Sequence, residues 1–141
     1  MTPFRILTRQ ILMTRRLLFS LTLALSFLLA ACTTSKDESA QAVQSLLQAL
    51  VQRDEAHYTA LTCGSYEDSA LIEYDSFDLV QLSLKDLSCS QTGQNGNTAT
   101  VHCTGSIQAT YGNEVQSYDL SKRTYHLTLQ GGDWLVCGYT Q

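Results

Sequence analysis

The amino-acid sequence predicts an α+β fold in which N-terminal helices pack on a curved four-stranded antiparallel meander, forming a cone-like roll. Apolar residues recur with helical spacing over 40–53, whereas from Phe77 onward apolar and polar residues alternate, as in strands with one buried face. Turn pairs divide the alternating region into strands: Asn95-Gly96, Gly112-Asn113 and Gly131-Gly132. Because the helices come first and the strands follow one another, the order fits α+β rather than βαβ units.

Residues 1–31 have the pattern of a secretory signal peptide. An apolar run of about a dozen residues over 17–28 is shorter than the roughly 20 residues that a bilayer-spanning helix needs. Basic residues without any acid precede the run, as such a peptide requires: Arg5, Arg9, Arg15 and Arg16. Met13 would itself make a compact start, so it is a candidate site of translation initiation.

Cys32 follows this segment directly, in the string Leu29-Ala30-Ala31-Cys32. Two alanines suit a signal peptidase, but an ordinary cleavage site needs no cysteine after the cut. The string resembles the bacterial lipoprotein lipobox, and the resemblance implies a diacylglyceryl group, with acyl chains such as palmitate, on the sulfur of Cys32. Because two acyl chains give stable anchoring, the membrane is the expected partner of Cys32. The alternative is an ordinary structural cysteine that follows two alanines.

The predicted mature chain is acidic and has the length of one domain. Residues 32–39 would be the lipidated cysteine and a short tether, and residues 40–141 a single α+β domain. Four of the nine Lys and Arg residues precede Cys32, so thirteen acids face five bases and the net charge is −8. Such a surface is unsuited to nucleic acid and is repelled by anionic lipid. We therefore expect no nucleic-acid partner, and a domain held above the membrane.

Four further cysteines occur in this domain: Cys63, Cys89, Cys103 and Cys137. An even number in a small exported domain favours two disulfides. A zinc site is the competing interpretation, but it would need close pairs of ligands, and the spacings here are far wider. Three pairings are possible. We favour Cys89–Cys103, because both residues flank one predicted hairpin turn, and this choice leaves Cys63–Cys137.

Three helical segments precede the strands. Residues 35–38 have the spacing of a capping box, so the tether should lead directly into a helix that ends near Arg53. Five apolar residues of this helix form one stripe that faces the core: Val43, Leu46, Leu47, Leu50 and Val51. Asp54 is the predicted N-cap of a short second helix over 55–61, and residues 65–74 form a third helical turn.

The strands carry several predicted irregularities. The alternation of the first strand slips by one residue at Asp86, and a β-bulge is the usual remedy for such a slip. The next strand, over 98–111, is unusually long, and Gly105 is where it can bend at least cost. The return strand over 115–130 is expected to be irregular around 121–123.

The last predicted strand, over 133–139, follows a two-residue turn. That turn would place Leu129 opposite Trp134 on an apolar face. Cys137 then lies on the reverse face, which conflicts with a bond to Cys63 unless the strand is bulged or covered on both faces. The sequence leaves this question open.

The helical and terminal segments together resemble the nuclear transport factor 2-like (cystatin-like) superfamily. The matching parts are the first helix over 42–50 with Arg53-Asp54 after it, a short helix with Tyr58 and Leu61, and a closing strand over 133–137. Small bacterial lipoproteins of that superfamily, with no assigned activity, are similar in particular. The resemblance implies a cone-shaped fold with a pocket between helix and sheet. Some members are isomerases or dehydratases and many bind ligands or partners, so the fold alone does not decide the function.

Few residues are candidates for a functional site. Tyr58, Tyr74 and Tyr111 are the possible pocket residues, because an enolising isomerase needs a carboxylate base near a tyrosine or acid donor. Core packing with a hydroxyl at the rim is the alternative role for these tyrosines. Asp75 and Asp78 are the nearby carboxylates, but both are expected in the loop before the first strand.

The three histidines lack the spacing of metal ligands, and they are expected at the surface: His57, His102 and His126. The sequence contains no nucleophile elbow and no phosphate loop. We therefore assign no catalytic residue, no cofactor and no metal site.

These observations favour a lipid-anchored, extracytoplasmic lipoprotein of the cell membrane or envelope. Its domain would bind a small molecule or an envelope protein without catalysis. Whether it is an enzyme stays open, with the negative answer favoured. The alternative is a small enzyme of the isomerase or dehydratase type with a pocket between helix and sheet. An inhibitor or immunity-type protein at the cell surface is a third hypothesis.

Overall fold

The computed structural model describes residues 36–141. Three helices come first: α1 Lys36–Gln52, α2 Glu55–Ala60 and α3 Glu67–Asp75. Strands and one 3₁₀ turn follow: β1 Gln81–Asn95, β2 Thr98–Tyr111, β3 Glu114–Asp119, the 3₁₀ turn Leu120–Lys122, β4 Thr124–Gln130 and β5 Asp133–Thr140. Helices that precede an antiparallel sheet confirm the predicted α+β class. The predictions of a signal peptide, a lipobox, a start at Met13 and a capping serine at position 35 fall outside the described residues.

Helix α1 buries the apolar stripe that its spacing predicts, above all against β1. Four of the five stripe residues are almost inaccessible to solvent: Val43, Leu46, Leu47 and Leu50. The helix is followed by Arg53 in the left-handed region at φ 58°, where glycine is more usual. The backbone amides of Arg53 and Asp54 donate to carbonyls of the last helical turn at 3.2 and 3.0 Å, so the helix end is satisfied. None of the described helices is long and apolar enough to cross a bilayer.

Residues 36–39, which were predicted to belong to a tether, form the first turn of α1. Ser39 is fully buried, and its hydroxyl donates to Oε1 of Gln91 in β1 at 2.9 Å. This contact holds the first turn against the sheet, and it is a long-range contact that local sequence cannot indicate.

The second and third helices follow the predicted order. The carboxylate of Asp54 accepts the amide of His57 at 3.1 Å, which confirms the N-cap of α2. The first strand begins at Gln81, four residues after the alternating pattern starts at Phe77. Residues 77–80 instead form turns that continue from α3, with Leu79 at φ 64°, and Phe77 is buried in the core. The alternating pattern therefore starts one turn before the strand does.

β2 is the central strand of the sheet. It pairs antiparallel with β1 along nearly its whole length, and on its other side with β3 over 106–111 and with β4 over 98–102. The 3₁₀ turn separates β3 from β4, so the predicted return strand is two strands and the sheet has five strands. The predicted irregularity around 121–123 is confirmed. β4 then pairs with β5, which completes the meander.

The predicted bulge occurs in β1. The register between β1 and β2 skips Asp86 and Leu87, and Asp86 has a φ of 53°. Gly105 lies opposite at φ 97°, and a Cβ atom there would stand 2.5 Å from the carbonyl oxygen of Lys85. Both the backbone conformation and the close approach of the bulge therefore require glycine at this position.

The last strand is both bulged and covered along its free edge, and this explains how Cys137 can bond to Cys63. Leu129 lies opposite Trp134 as predicted. The register then slips at 137–138, where Gly138 has a φ of 133°. The free edge of β5 is covered by the segment after α2.

That covering segment forms a parallel bridge with β5. Thr62 is bridged to Val136, and Val136 exchanges backbone hydrogen bonds of 2.8 Å with Leu61 and Cys63. Side chains alternate along both paired segments. Cys63 and Cys137, each one residue beyond the bridged pair, therefore lie side by side.

Candidate functional site

The four cysteines of the domain form two bonded pairs, Cys63–Cys137 and Cys89–Cys103, which is the pairing that the sequence favoured. Their Cα atoms are 4.9 and 4.0 Å apart, respectively. Cys89 and Cys103 are direct partners across β1 and β2. The Cys63–Cys137 bond spans 74 residues and joins the segment after α2 to the last strand.

The three predicted pocket tyrosines do not line one pocket. Tyr58 and Tyr74 are buried in the core, with ring centroids 5.2 Å apart, so their contribution is to packing. Tyr111 is 39% exposed at the end of β2, and the neighbouring Tyr118 raises its pKa. Strand β2 continues past the part of the sheet that the core covers, and Tyr111 therefore remains outside.

An ion pair between Glu73 and Arg123 lies largely inside the domain. Nη1 of Arg123 is 2.7 Å from Oε1 of Glu73, and only 12% of the arginine and 17% of the glutamate side chain is exposed. The guanidinium also stacks on Tyr139, with 4.2 Å between Cζ and the ring centroid. Shielding from solvent strengthens the attraction within this pair relative to a surface pair.

Four tyrosines lie close enough to Glu73 for its negative charge to raise their pKa values: Tyr58, Tyr66, Tyr125 and Tyr139. Together with Glu73 and Arg123 we call them the tyrosine cluster. Burial raises the pKa of Tyr125 to about 12, while the nearby Arg123 opposes this shift. Burial, assisted by the negative charge of Glu73, places the pKa of Tyr58 well above its ordinary value. The phenols therefore stay protonated at neutral pH and remain hydrogen-bond donors.

The hydroxyl of Tyr125 has an unusual environment. It is buried and has no hydrogen-bond partner among the described residues. Arg123 lies near enough to lower its pKa, but the geometry of a hydrogen bond is not met. A buried hydroxyl without a partner is costly. The Tyr125 hydroxyl is therefore an atom of the cluster that could still form a hydrogen bond.

Helix α3 places Glu73 in the cluster because of its spacing. Ala70, Glu73, Tyr74 and Phe77 follow the i, i+3, i+4, i+7 pattern of a buried helix face. Sequence reasoning missed the cluster, although this pattern shows a carboxylate on an otherwise apolar face. The last strand, β5, also approaches the cluster: a Cβ atom at Gly138 would stand 3.7 Å from the ring of Tyr66.

The chemistry of the cluster is limited by the ion pair. A general base needs a carboxylate that is free to accept a proton from a substrate. Arg123 already donates to an oxygen of Glu73, and both side chains are largely shielded from solvent. The arrangement is therefore better suited to holding α3 against the sheet than to proton abstraction.

The remaining candidates lie at the surface. His57 and His126 are exposed, and His102 is half-buried with its Nε2 atom 2.9 Å from the carbonyl oxygen of Ser121. Asp75 and Asp78 are exposed, and Asp78 pairs with Arg53. Within residues 36–141 no group of three or more metal-ligating side chains comes together.

Two shallow grooves lie elsewhere on the surface. One of about 420 Å³ runs over the outer face of the sheet and is lined by residues such as Thr98, Thr100, His126 and Thr128. The other, of about 510 Å³, lies between α1 and the β4–β5 turn, next to Gln41. Neither groove is lined by a residue of the tyrosine cluster, so the predicted pocket between helix and sheet is not one of these.

Solved structures with this arrangement of helices and strands are known. A proposed dehydratase of the NTF2-like family from Streptomyces avermitilis is similar at TM-score 0.52 and 13% identity, over 73% of this chain and 91% of that chain. An NTF2-like protein of unknown function from Pseudomonas putida is similar at TM-score 0.52 and 16% identity, over 77% and 85%. No protein-family model and no curated protein sequence matches this chain. At these identities the likeness concerns architecture, and it shows that the chain has the nuclear transport factor 2-like (NTF2-like) α+β fold.

Proposed function

We propose that this protein is a lipid-anchored lipoprotein of the cell envelope whose domain binds a small ligand or another envelope protein without catalysis. The distribution of the five cysteines carries the proposal. Four of them are bonded in pairs within the domain, and the remaining one, Cys32, stands directly after the signal-like segment in a lipobox string. Disulfides fit an oxidising compartment outside the cytoplasm, where a lipoprotein domain resides.

The interior of the domain supports binding rather than catalysis. The region between helices and sheet, where a pocket was predicted, contains large side chains that are almost completely buried: Leu47, Leu50, Tyr58, Ile107, Leu120, Tyr125 and Leu127. The carboxylate nearest to this interior, Glu73, is held by Arg123. Contact with other molecules is therefore expected at the surface of the domain.

Intact mass spectrometry of the native protein tests the lipoprotein part of the proposal. The expected mass is that of a chain that begins at Cys32, carries a diacylglyceryl group and lacks four hydrogens because of two disulfides. A Cys32→Ser variant should lose membrane attachment but keep the melting temperature of the domain. A native chain that retains residues 1–31, or an unmodified Cys32, would refute the anchor.

An isomerase or dehydratase is the second candidate, because Glu73 lies among tyrosines in a largely buried site. Proton abstraction next to a carbonyl can be followed as deuterium exchange at the α-carbon of a simple ketone in heavy water. The binding proposal predicts no exchange above that of a Glu73→Gln variant, measured under conditions in which circular dichroism shows both proteins to be folded. Exchange that requires Glu73 would instead establish the enzyme.

A further inference from the structure

Helix α1 runs from one end of the domain to the other. Near its start, Ser39 contacts Gln91, close to the β1–β2 turn. After its last residue, Arg53 contacts Asp78, just before β1 begins. The helix has 17 residues and is therefore about 25 Å long. We call the end with the β1–β2 turn the proximal end and the end with the β2–β3 turn the distal end.

The exposed large apolar side chains of the described residues gather toward the distal end: Ile72, Leu79, Tyr111 and Val115. Leu79 stands two residues before β1. The first residue of β1, Gln81, pairs with Thr110 of β2, and Thr110 in turn pairs with Val115 of β3. The register therefore puts Leu79, Tyr111 and Val115 at the same end of three adjacent strands. Ile72 lies on α3, which leads to this end.

Leu79 is the most unusual of these residues. It is completely exposed and has a φ of 64°, a conformation that costs an L-residue with a side chain about 1 kcal/mol or more. Glycine or asparagine would adopt this conformation more easily. Single exposed apolar residues are ordinary. A strained and fully exposed leucine beside other exposed apolar residues indicates a contact that the isolated domain does not make.

The charge around the distal end is mainly negative. Exposed acids lie on the helix, turn and strand that form it: Asp75, Asp78 and Glu114. Asp119, at the other end of β3, and the exposed Lys85 of β1 both lie beside Ser106, farther from this end. Arg53 is paired with Asp78 there, and Lys122 is an exposed base beyond the end of β3. The mature chain as a whole carries thirteen acids and five bases.

We propose that the distal end, with Leu79 at its centre, is a docking surface for an envelope protein that presents apolar side chains surrounded by lysines or arginines. The proposal rests on the proposed function, because it needs the anchor at Cys32. Residues 33–35 are all that separate Cys32 from α1, a reach of about 14 Å at most. A lipid on Cys32 would therefore be connected to the start of α1, which is the opposite end of that helix from the distal end.

The negative charge of the distal end favours some binding partners over others. An acidic surface is repelled by anionic lipid and by a second copy of the same acidic chain. A basic partner is attracted, and its apolar side chains would cover Leu79 and Val115. Such an interface gains specificity and association rate from charge and most of its affinity from the covered apolar residues.

Photo-crosslinking on the full lipidated protein in lipid nanodiscs tests the proposal. The photoreactive residue p-benzoylphenylalanine replaces Leu79 or Val115 at the distal end, or Asn97 at the proximal end as a control. The probes are two amphipathic peptides, one of alternating leucine and lysine and one of alternating leucine and glutamate. We expect the lysine peptide to crosslink at positions 79 and 115 about tenfold more than at 97, and the yield to fall at about 0.5 M salt.

Two charge reversals provide the matched variants. Asp75→Lys, at the end of α3, should reduce crosslinking of the lysine peptide at position 79, and it should leave the helix intact because a cation is favourable there. Asp133→Lys, at the start of β5, should have no such effect. Equal crosslinking at 79 and 97, equal capture of both peptides, or adducts at 79 with lipid or with a second copy would overturn the proposal. Any of these results with Cys32 still lipidated would refute the docking surface alone and leave the anchor standing.

Discussion

The guanidinium of Arg53 lies over the ring of Tyr74, with 3.8 Å between Cζ and the ring centroid. Its Nη1 atom also donates to the carbonyl oxygen of Tyr74 at 2.6 Å, and its Nη2 atom pairs with Asp78. Arg53 itself stands in the left-handed position after α1. One residue therefore ends the first helix and caps the C-terminus of the third, where a positive charge is favourable.

Truncation of this arginine should cost stability. Arg53→Ala loses the hydrogen bond, the ion pair and the cation–π contact and should lower the free energy of unfolding by about 2 kcal/mol. Arg53→Gly loses the same contacts but relieves the left-handed backbone, so it should cost less than Arg53→Ala. Urea unfolding of the three proteins measures the difference. A glycine variant less stable than the alanine variant would contradict the account of the backbone.

The pair Glu73–Arg123 should behave as a coupled, largely buried ion pair. Removal of either partner alone, in Glu73→Leu or Arg123→Met, should cost about 3 kcal/mol because the remaining charge is left unpaired. The double variant should regain most of the loss, since two apolar side chains need no partner. A double-mutant cycle by urea unfolding measures this coupling. Additive losses would show that the two charges do not depend on one another.

Tyr125→Phe should not destabilise the domain. The hydroxyl of Tyr125 is buried without a partner, so its removal should be neutral or should stabilise by about 1 kcal/mol. Tyr118→Phe is the comparison, because the Tyr118 hydroxyl donates to Gln116 at 3.1 Å. A clear loss of stability in Tyr125→Phe would show that the hydroxyl has a partner in solution, such as a bound water or ligand.

The same tyrosine predicts loss of stability at alkaline pH. Burial raises the pKa of Tyr125 from 10.0 to about 12, so the unfolded chain releases the phenolic proton at lower pH than the folded one. The titration of Tyr125 therefore leaves the free energy of unfolding unchanged below pH 10 and lowers it as the pH rises from about 10 to about 12. Urea unfolding over this range should show a shallower decline for Tyr125→Phe than for the unmodified protein. Equal slopes would mean that the hydroxyl titrates alike in both states.

Gly105 should tolerate no side chain. In Gly105→Ala the new Cβ would meet the carbonyl oxygens of Lys85 and Asp86 at 2.5 and 2.6 Å, and the φ of 97° adds strain. We expect a loss of about 2–4 kcal/mol in unfolding free energy. The control is Gly64→Ala, which meets no atom within 4 Å and should stay within about 0.5 kcal/mol of the unmodified protein. Similar melting temperatures for both variants would contradict the bulge packing.

The two disulfides should contribute unequally. Their sequence separations are 74 and 14 residues, and in the chain-entropy model the longer loop stabilises by about 1.5 kcal/mol more. Serine replacement of Cys63 and Cys137 should therefore lower the unfolding free energy more than serine replacement of Cys89 and Cys103. Urea unfolding of the two paired variants is the measurement. The reverse order would show that local packing at Cys89–Cys103 outweighs loop entropy.

Local patterns in the sequence predicted most of the fold correctly. The stripe of α1, the cap at Asp54 and the slip at Asp86 all follow from rules that involve residues close in the chain. The structure contains each of them. The boundaries agree less well: β1 begins four residues after the alternating pattern starts, and residues 36–39, which were assigned to the tether, belong to α1.

The candidate site was predicted poorly, because its members are brought together from separate elements. Glu73 and Arg123 are 50 residues apart, and nothing local to either indicates the other. Tyr111 was proposed as a pocket residue, but it lies apart from Tyr58 and Tyr74. It continues the apolar face of β2 in the sequence but lies beyond the region that the core covers.

The sequence by itself therefore determined the order and type of the elements, the turns, the positions that only glycine can occupy and the number of cysteines available for pairing. These depend on backbone conformation and on the periodicity of burial, which neighbouring residues set. Only the tertiary structure decided which tyrosines surround the ion pair, how the last strand brings Cys137 beside Cys63, and which apolar side chains stay exposed. These outcomes depend on long-range packing, where residues distant in the chain compete for the same space.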